Sequence, residues 1–293
     1  MPIRDWVAAL AIIMVWGVNF VVIKLGLDEI PPFLLGGLRF VLVALAVFFV
    51  PRPAVSWRIL LLFGMTLSFG QFAFLFTAMT VGMSAGLASL ILQSQAFFTV
   101  LLAAVLLGEG VRIYHVVGMV VAAVGLGLIE YGAHGGNVTL LGFVLTLAAA
   151  LNWACGNIVV KYAGKVDMLS LVVWGALVPP IPFFIMSWVF EGPQAIRHSL
   201  ENVSMVGIGA LFYLALMATT LGYVLWGRLL GRHPVSKVAP LSLLVPIVGL
   251  VSAALVLGEQ LHLVQWLGGL IVLLGLAVNM MGPRLLKPLR AVR

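Results

Sequence analysis

Apolar residues fall into ten long runs, separated by short breaks of proline, glycine or charge: about 6–25, 33–50, 58–80, 85–107, 113–130, 139–162, 169–190, 204–226, 235–257 and 263–282. A helix needs about 20 apolar residues to cross a bilayer, so the pattern predicts ten membrane-spanning helices. The longest connection, EGPQAIRHSLEN at 191–202, is expected to be a loop and is too small to be a domain. MPIRDW followed by VAALAIIMVW has the basic residue and apolar run of a signal peptide, but the run is long and no A-x-A site follows. It is read as a retained first span.

Composition agrees with a membrane protein. Hydrophobic side chains make up 63% of the 293 residues, charged ones 9%, and mean hydropathy is +1.21, against about 25% charged in a soluble domain. The fold class is therefore all-α and polytopic. The net charge of +7 is spread singly between apolar runs and not gathered into a patch, which excludes a nucleic-acid partner. With ten spans, Arg4, Arg52, Arg58, Arg112, Lys161, Lys165, Arg228, Arg232, Lys237, Arg284, Lys287, Arg290 and Arg293 lie beside the N-terminus. Only Lys24, Arg39 and Arg197 lie opposite, so the positive-inside rule puts both termini in the cytoplasm. Cys155 is the single cysteine, so no disulfide framework is expected, nor any metal site or cofactor.

The two halves repeat. WGVNFVVIK at 16–24 aligns with WACGNIVVK at 153–161, an offset of 137. AAVLLGE at 103–109 aligns with AALVLGE at 253–259, and Gly118, Gly125 and Leu126 with Gly268, Gly275 and Leu276, at offset 150. The extra residues are placed in the 191–202 connection. Each half holds five spans, so the second enters the membrane upside down and the pair forms an inverted repeat. The expected units are residues 1–132 and 138–283, with a basic cytoplasmic tail at 284–293.

Uncharged polar residues interrupt the spans selectively. Asn19, Gln71, Gln93, Ser94, Gln95, Asn152, Asn157, Thr219, Thr220 and Ser242 fall on spans 1, 3, 4, 6, 8 and 9 and none on 2, 5, 7 or 10. Interhelical hydrogen bonds would explain any one of them. Their confinement to six spans favours the wall of a wet cavity, to which Trp16, Trp153, Tyr223 and Trp226 add aromatic rings. Lys24 and Lys161 sit two turns beyond Trp16 and Trp153 and are candidates for a gate or rim, against simple snorkelling or a Lys24–Asp28 pair. Pro240 and Pro246 are candidate kinks in span 9. Glu109 and Glu259, ending spans 4 and 9, are expected to cap a helix or pair with a base. No acid lies mid-span, so proton coupling finds no support.

Two five-span halves, each opening on a tryptophan-bearing polar helix and carrying LGE after its fourth span, resemble the EamA family of the drug/metabolite transporter superfamily. LASLILQSQAFFTVLL, LGFVLTLAAALNWACGNI and LLGRHPVSKVAPLSLLVP resemble the branch that exports O-acetylserine and cysteine across the bacterial inner membrane. The resemblance covers residues 1 to about 282 and implies ten helices, cytoplasmic termini, and a cavity lined by spans 1, 3, 4, 6, 8 and 9 with spans 5 and 10 as scaffold. The inverted repeat implies alternating access, and the resemblance adds a small amino-acid substrate; no obligatory protein partner is evident. The substrate-binding candidates are Trp16, Asn19, Gln71, Gln93, Gln95, Trp153, Asn157, Tyr223 and Ser242. A same-fold exporter of other amino acids, drugs or nucleotide sugars is the alternative; nucleotide sugars would call for deep cationic groups, and Lys24 and Lys161 lie too near the ends. An intramembrane enzyme lacks its catalytic constellation.

Overall fold

The computed structural model describes residues 1–133, 139–233 and 235–285, and all regular structure among them is helical. Ten helices follow the ten apolar runs: α1 (Ile3–Leu27), α2 (Pro32–Phe48), α3 (Trp57–Thr80), α4 (Ala85–Leu107), α5 (Ile113–Gly132), α6 (Leu140–Ala163), α7 (Met168–Asn202), α8 (Met205–Arg232), α9 (Pro240–Leu257) and α10 (Leu263–Gly282). Among the described residues nine are long and apolar enough to cross a membrane, and α2 is shorter. The protein is a multi-pass membrane protein. The basic tail from residue 286, with Lys287, Arg290 and Arg293, lies outside the described residues.

One element departs from expectation. The 191–202 connection is helical, the segment Gly192–Asn202 at the end of α7. Gly192 turns the chain at φ +81°, and Pro193 occupies the first turn, where its missing N–H costs nothing. Arg197 and Glu201 then pair one turn apart at 2.7 Å.

The repeat is visible in packing. A Cβ on Gly118 would lie 2.7 Å from the Gly275 carbonyl oxygen, and one on Gly268 2.7 Å from that of Gly125. Replacing each residue by its equivalent 150 positions away converts the first contact into the second. The pairs run in opposite order along α5 and α10, so these helices are antiparallel, as equivalent helices of an inverted repeat would be. Only glycine permits such close backbone approach. His115 Nδ1 and Asn279 Oδ1, 2.5 Å apart, join the same two helices.

Equivalent helices also break at equivalent places. Both LGE motifs end their helices on a left-handed glycine, Gly108 and Gly258, each at φ +66°. A 3₁₀ turn interrupts α4 at Leu92–Ser94, and another precedes the α-helical part of α9 at Ala239–Leu243. Wide π-helical segments occupy Gly64–Gly70 of α3 and Tyr213–Leu221 of α8. These irregular stretches disturb the backbone hydrogen-bond ladder near the middle of the molecule, where a membrane protein tolerates that only beside protein or a polar cavity.

Candidate functional site

A central cavity of about 360 Å³ lies between the halves, at the small end of the roughly 300–1,000 Å³ usual for ligand sites. Trp16, Asn19, Gln71, Gln93, Gln95, Trp153, Asn157, Tyr223 and Ser242 all line it. α5 and α10 contribute no lining residue among those described. α2 and α7 contribute one each, Arg39 and Met168, which widens the expected set of lining helices. The lining reaches Val160, Met168 and Leu230, at helix ends on the face that carries the N-terminus. Toward the opposite face it stops at Phe20, Arg39, Leu75 and Ser89, each at least four residues short of its helix end.

The wall between α1 and α8 is built around Trp16. Its indole Nε1 donates to the Ala218 carbonyl at 2.9 Å, an acceptor inside the π-helical segment. The Tyr213 hydroxyl returns the tie, donating to the Val15 carbonyl at 2.8 Å. Gly222 makes room, since a Cβ there would come 2.4 Å from Trp16 Nε1. The rings of Tyr223 and Trp226 then close on Trp16, at centroid distances of 5.8 and 5.4 Å.

Opposite, the breaks in α4 and α9 meet. The Gln93 amide donates to the Ser242 carbonyl at 3.3 Å, linking one 3₁₀ turn to the other. Asn157 of α6 donates to Gln95 Oε1 at 2.8 Å and to Thr99 Oγ1 at 3.0 Å. Asn157 is therefore a cavity-lining residue and an interhelical tie at once. Asn19 and Gln71 differ: both are buried, and Asn19 Oδ1 and Gln71 Oε1 have no hydrogen-bond partner among the described residues.

The residue that sequence reasoning misplaced is Arg39. Counted as an orientation signal on the far side, it is buried within α2 at 3% exposure and lines the cavity. Its Nε and Nη2 donate to Thr219 Oγ1 at 3.2 and 2.8 Å, and its guanidinium lies 4.0 Å from the centroid of the Phe72 ring. It is the one charged residue among the described lining residues, and no described carboxylate pairs with it. The signal was available: an arginine six residues past the start of the apolar run 33–50 is too deep to be a terminal charge.

The rim candidates are elsewhere. Neither Lys24 nor Lys161 lines the cavity, because each is drawn to a carboxylate: Lys24 to Asp28 at 2.9 Å, Lys161 to Glu109. Of the kink candidates, Pro240 lies in the 3₁₀ turn of α9, whereas Pro246 occupies the first turn of the helix Leu244–Leu257, where a missing N–H is tolerated. Neither lines the cavity. No group of three or more metal-binding side chains is present among the described residues.

Three carboxylates seal the face opposite the N-terminus. Glu259, after α9, accepts from the backbone N–H of Ala85 and Gly86 at 2.7 and 3.0 Å and caps α4. Glu191 caps α2 through Phe33 and Leu34 N–H at 2.5 and 3.1 Å. Glu29 accepts from the Ser204 hydroxyl at 2.6 Å and its N–H at 2.8 Å, which holds the carboxyl below its ordinary range.

A cavity between the two halves of a repeat, with broken helices around it, is the architecture of a transporter. The EamA-like transporter family model matches residues 5–131 and 140–281. A probable amino-acid metabolite efflux pump of Escherichia coli (strain K12) is 51% identical over 287 residues, 96% of each chain. A probable amino-acid metabolite efflux pump of Salmonella typhimurium is 50% identical over 98% of each. A crystal structure with a TM-score of 0.67 over 97% of this chain and 98% of its own, at 18% identity, shares the fold. This chain is a transporter, not an enzyme, and belongs to the EamA-like transporter family.

Proposed function

We propose that this protein exports small amino-acid metabolites, O-acetylserine and cysteine among them, across the bacterial inner membrane by alternating access, with both termini in the cytoplasm. The observation that carries this is the small cavity of amides and aromatic rings that reaches one face only. The amides offer donors and acceptors to a zwitterion without fixing net charge in the membrane. The names of the two half-identical relatives point to the same class of cargo.

The two LGE motifs support alternation. Glu259 holds α4 at the sealed face, whereas its equivalent Glu109, at the other face, is half-exposed and pairs with Lys161. Equivalent residues in unlike settings mean that related halves hold unlike conformations, and exchanging them would open the sealed face and close the open one. Arg39 reopens nucleotide sugars, set aside for want of a deep cation. A single cation and about 360 Å³ fit a compact monoanionic head better than a diphosphate carrying a nucleoside and a sugar.

Overproduction tests the cargo. It should raise cysteine or O-acetylserine in the medium and protect cells from excess cysteine. If another amino acid rises and these do not, the cargo assignment falls.

A further inference from the structure

We infer that Arg39 is the carboxylate anchor of the cavity, and that Asn19 and Gln71 hold the substrate's ammonium, so the site selects free amino acids over their esters and over amines. This rests on the export function proposed above and narrows its substrate class.

A guanidinium offers five N–H donors and remains charged under all ordinary conditions. At Arg39 the protein satisfies only part of that demand. Thr219, a neutral hydroxyl, takes Nε and Nη2, and the Phe72 ring lies beside the guanidinium. Nη1 has no partner among the described residues, and no described carboxylate balances the charge. A buried cation without a counterion is costly, and proteins ordinarily pair it. Here the counterion is absent from the wall of a cavity built to receive a solute. A substrate carboxylate supplies what is missing, and arginine's planar fork matches its two oxygens.

The other unpartnered groups on residues that line the cavity have the opposite polarity. Asn19 and Gln71 line the same cavity, are 9% and 4% exposed, and leave Asn19 Oδ1 and Gln71 Oε1 as unused acceptors. Carbonyl oxygens accept from an ammonium but cannot pair with its charge. Recognition is thus asymmetric: the carboxylate meets a full charge and the ammonium meets dipoles. Blocking the carboxylate is the more damaging change.

The test is competition against uptake of labelled cysteine, kept reduced, by wild-type protein in proteoliposomes. Unlabelled cysteine should compete at least about tenfold better than cysteine methyl ester or cysteamine, which lacks the carboxyl group, as expected for loss of a hydrogen bond to a charged group. Equal competition by ester and acid overturns the anchor. No cysteine uptake by the wild-type protein overturns cysteine as a cargo, the reading on which this assignment rests. Arg39→Gln should raise KM and erase the preference for acid over ester, with Arg39→Lys restoring part of it. If Arg39→Gln retains the wild-type preference, Arg39 only ties helices together and the assignment is wrong. The wild-type comparison decides the matter if Arg39→Gln does not fold.

Discussion

Arg39 of α2 and Thr219 of α8 are joined by two hydrogen bonds, from Nε at 3.2 Å and Nη2 at 2.8 Å, a tie between the two halves of the repeat beside the cavity. The π-helical segment of α8 holds Thr219, whose hydroxyl also donates to the Leu214 carbonyl at 2.8 Å, five residues back. Thr219→Val should lower unfolding stability by about 1.5–3 kcal/mol, the range for a hydrogen bond to a charged group. Chemical denaturation of the purified variant measures this.

The two asparagines of the cavity should respond in opposite ways. Asn157→Leu removes the donor to Gln95 and Thr99 and should cost stability, about 0.6–2 kcal/mol. Asn19→Leu removes an oxygen that already lacks a partner, so stability should hold near wild type while transport falls. Melting temperature and uptake per folded molecule, measured on both variants, separate the two roles.

Much of this architecture was legible in the sequence because bilayer burial imposes a simple length rule and the repeat leaves matched residues such as Gly118 and Gly268. The cavity-lining amides were also legible, since their cost in hydrocarbon confines them to helices with a polar neighbour. Hydropathy does not register direction or partners. It treated Arg39 as an orientation signal because depth within a span was not weighed, and it offered Lys24 and Lys161 as rim charges because their carboxylates could not be placed with certainty. Asp28 lies one turn from Lys24, but Glu109 is brought to Lys161 only by the packing of α4 against α6. The helix Gly192–Asn202 was hidden by Gly192 and Pro193, residues that more often mark a turn.

Glu259 should act as a clasp for the sealed face. Its two hydrogen bonds to Ala85 and Gly86 close α9 onto the start of α4, where a Cβ on Gly86 would already lie 3.1 Å from Glu259 Oε2. With Cys155 replaced and a single cysteine at Ser89, Glu259→Ala should speed labelling by an impermeant thiol reagent applied from the far side. An unchanged rate would show that the seal does not depend on this carboxylate.

The α5–α10 contact should be a matter of stability alone. A Cβ on Gly275 would lie 2.6 Å from the Gly118 carbonyl oxygen and 2.7 Å from Ala122 N, both rigid backbone. Gly275→Ala should therefore destabilise by about 1–3 kcal/mol, with the uptake rate per folded molecule unaltered.

Acid should loosen the Glu29–Ser204 contact. Because hydrogen bonds from Ser204 depress the Glu29 carboxyl below its ordinary value of 4.5, the folded state binds a proton less readily than the unfolded state. That contribution is complete above the ordinary value and is lost as pH falls through the lower folded value. Between about pH 5 and about pH 3 the wild-type melting temperature should fall more than that of Ser204→Ala.

The cavity should carry a small amino acid across the membrane, and proteoliposomes loaded with unlabelled cysteine or O-acetylserine and diluted into trace label measure this. Wild-type protein should accumulate label transiently above the level of empty liposomes, and Asn19→Leu of equal folded amount should not. Wild-type protein that stays at the level of empty liposomes with both amino acids, while retaining its native melting transition, would contradict it.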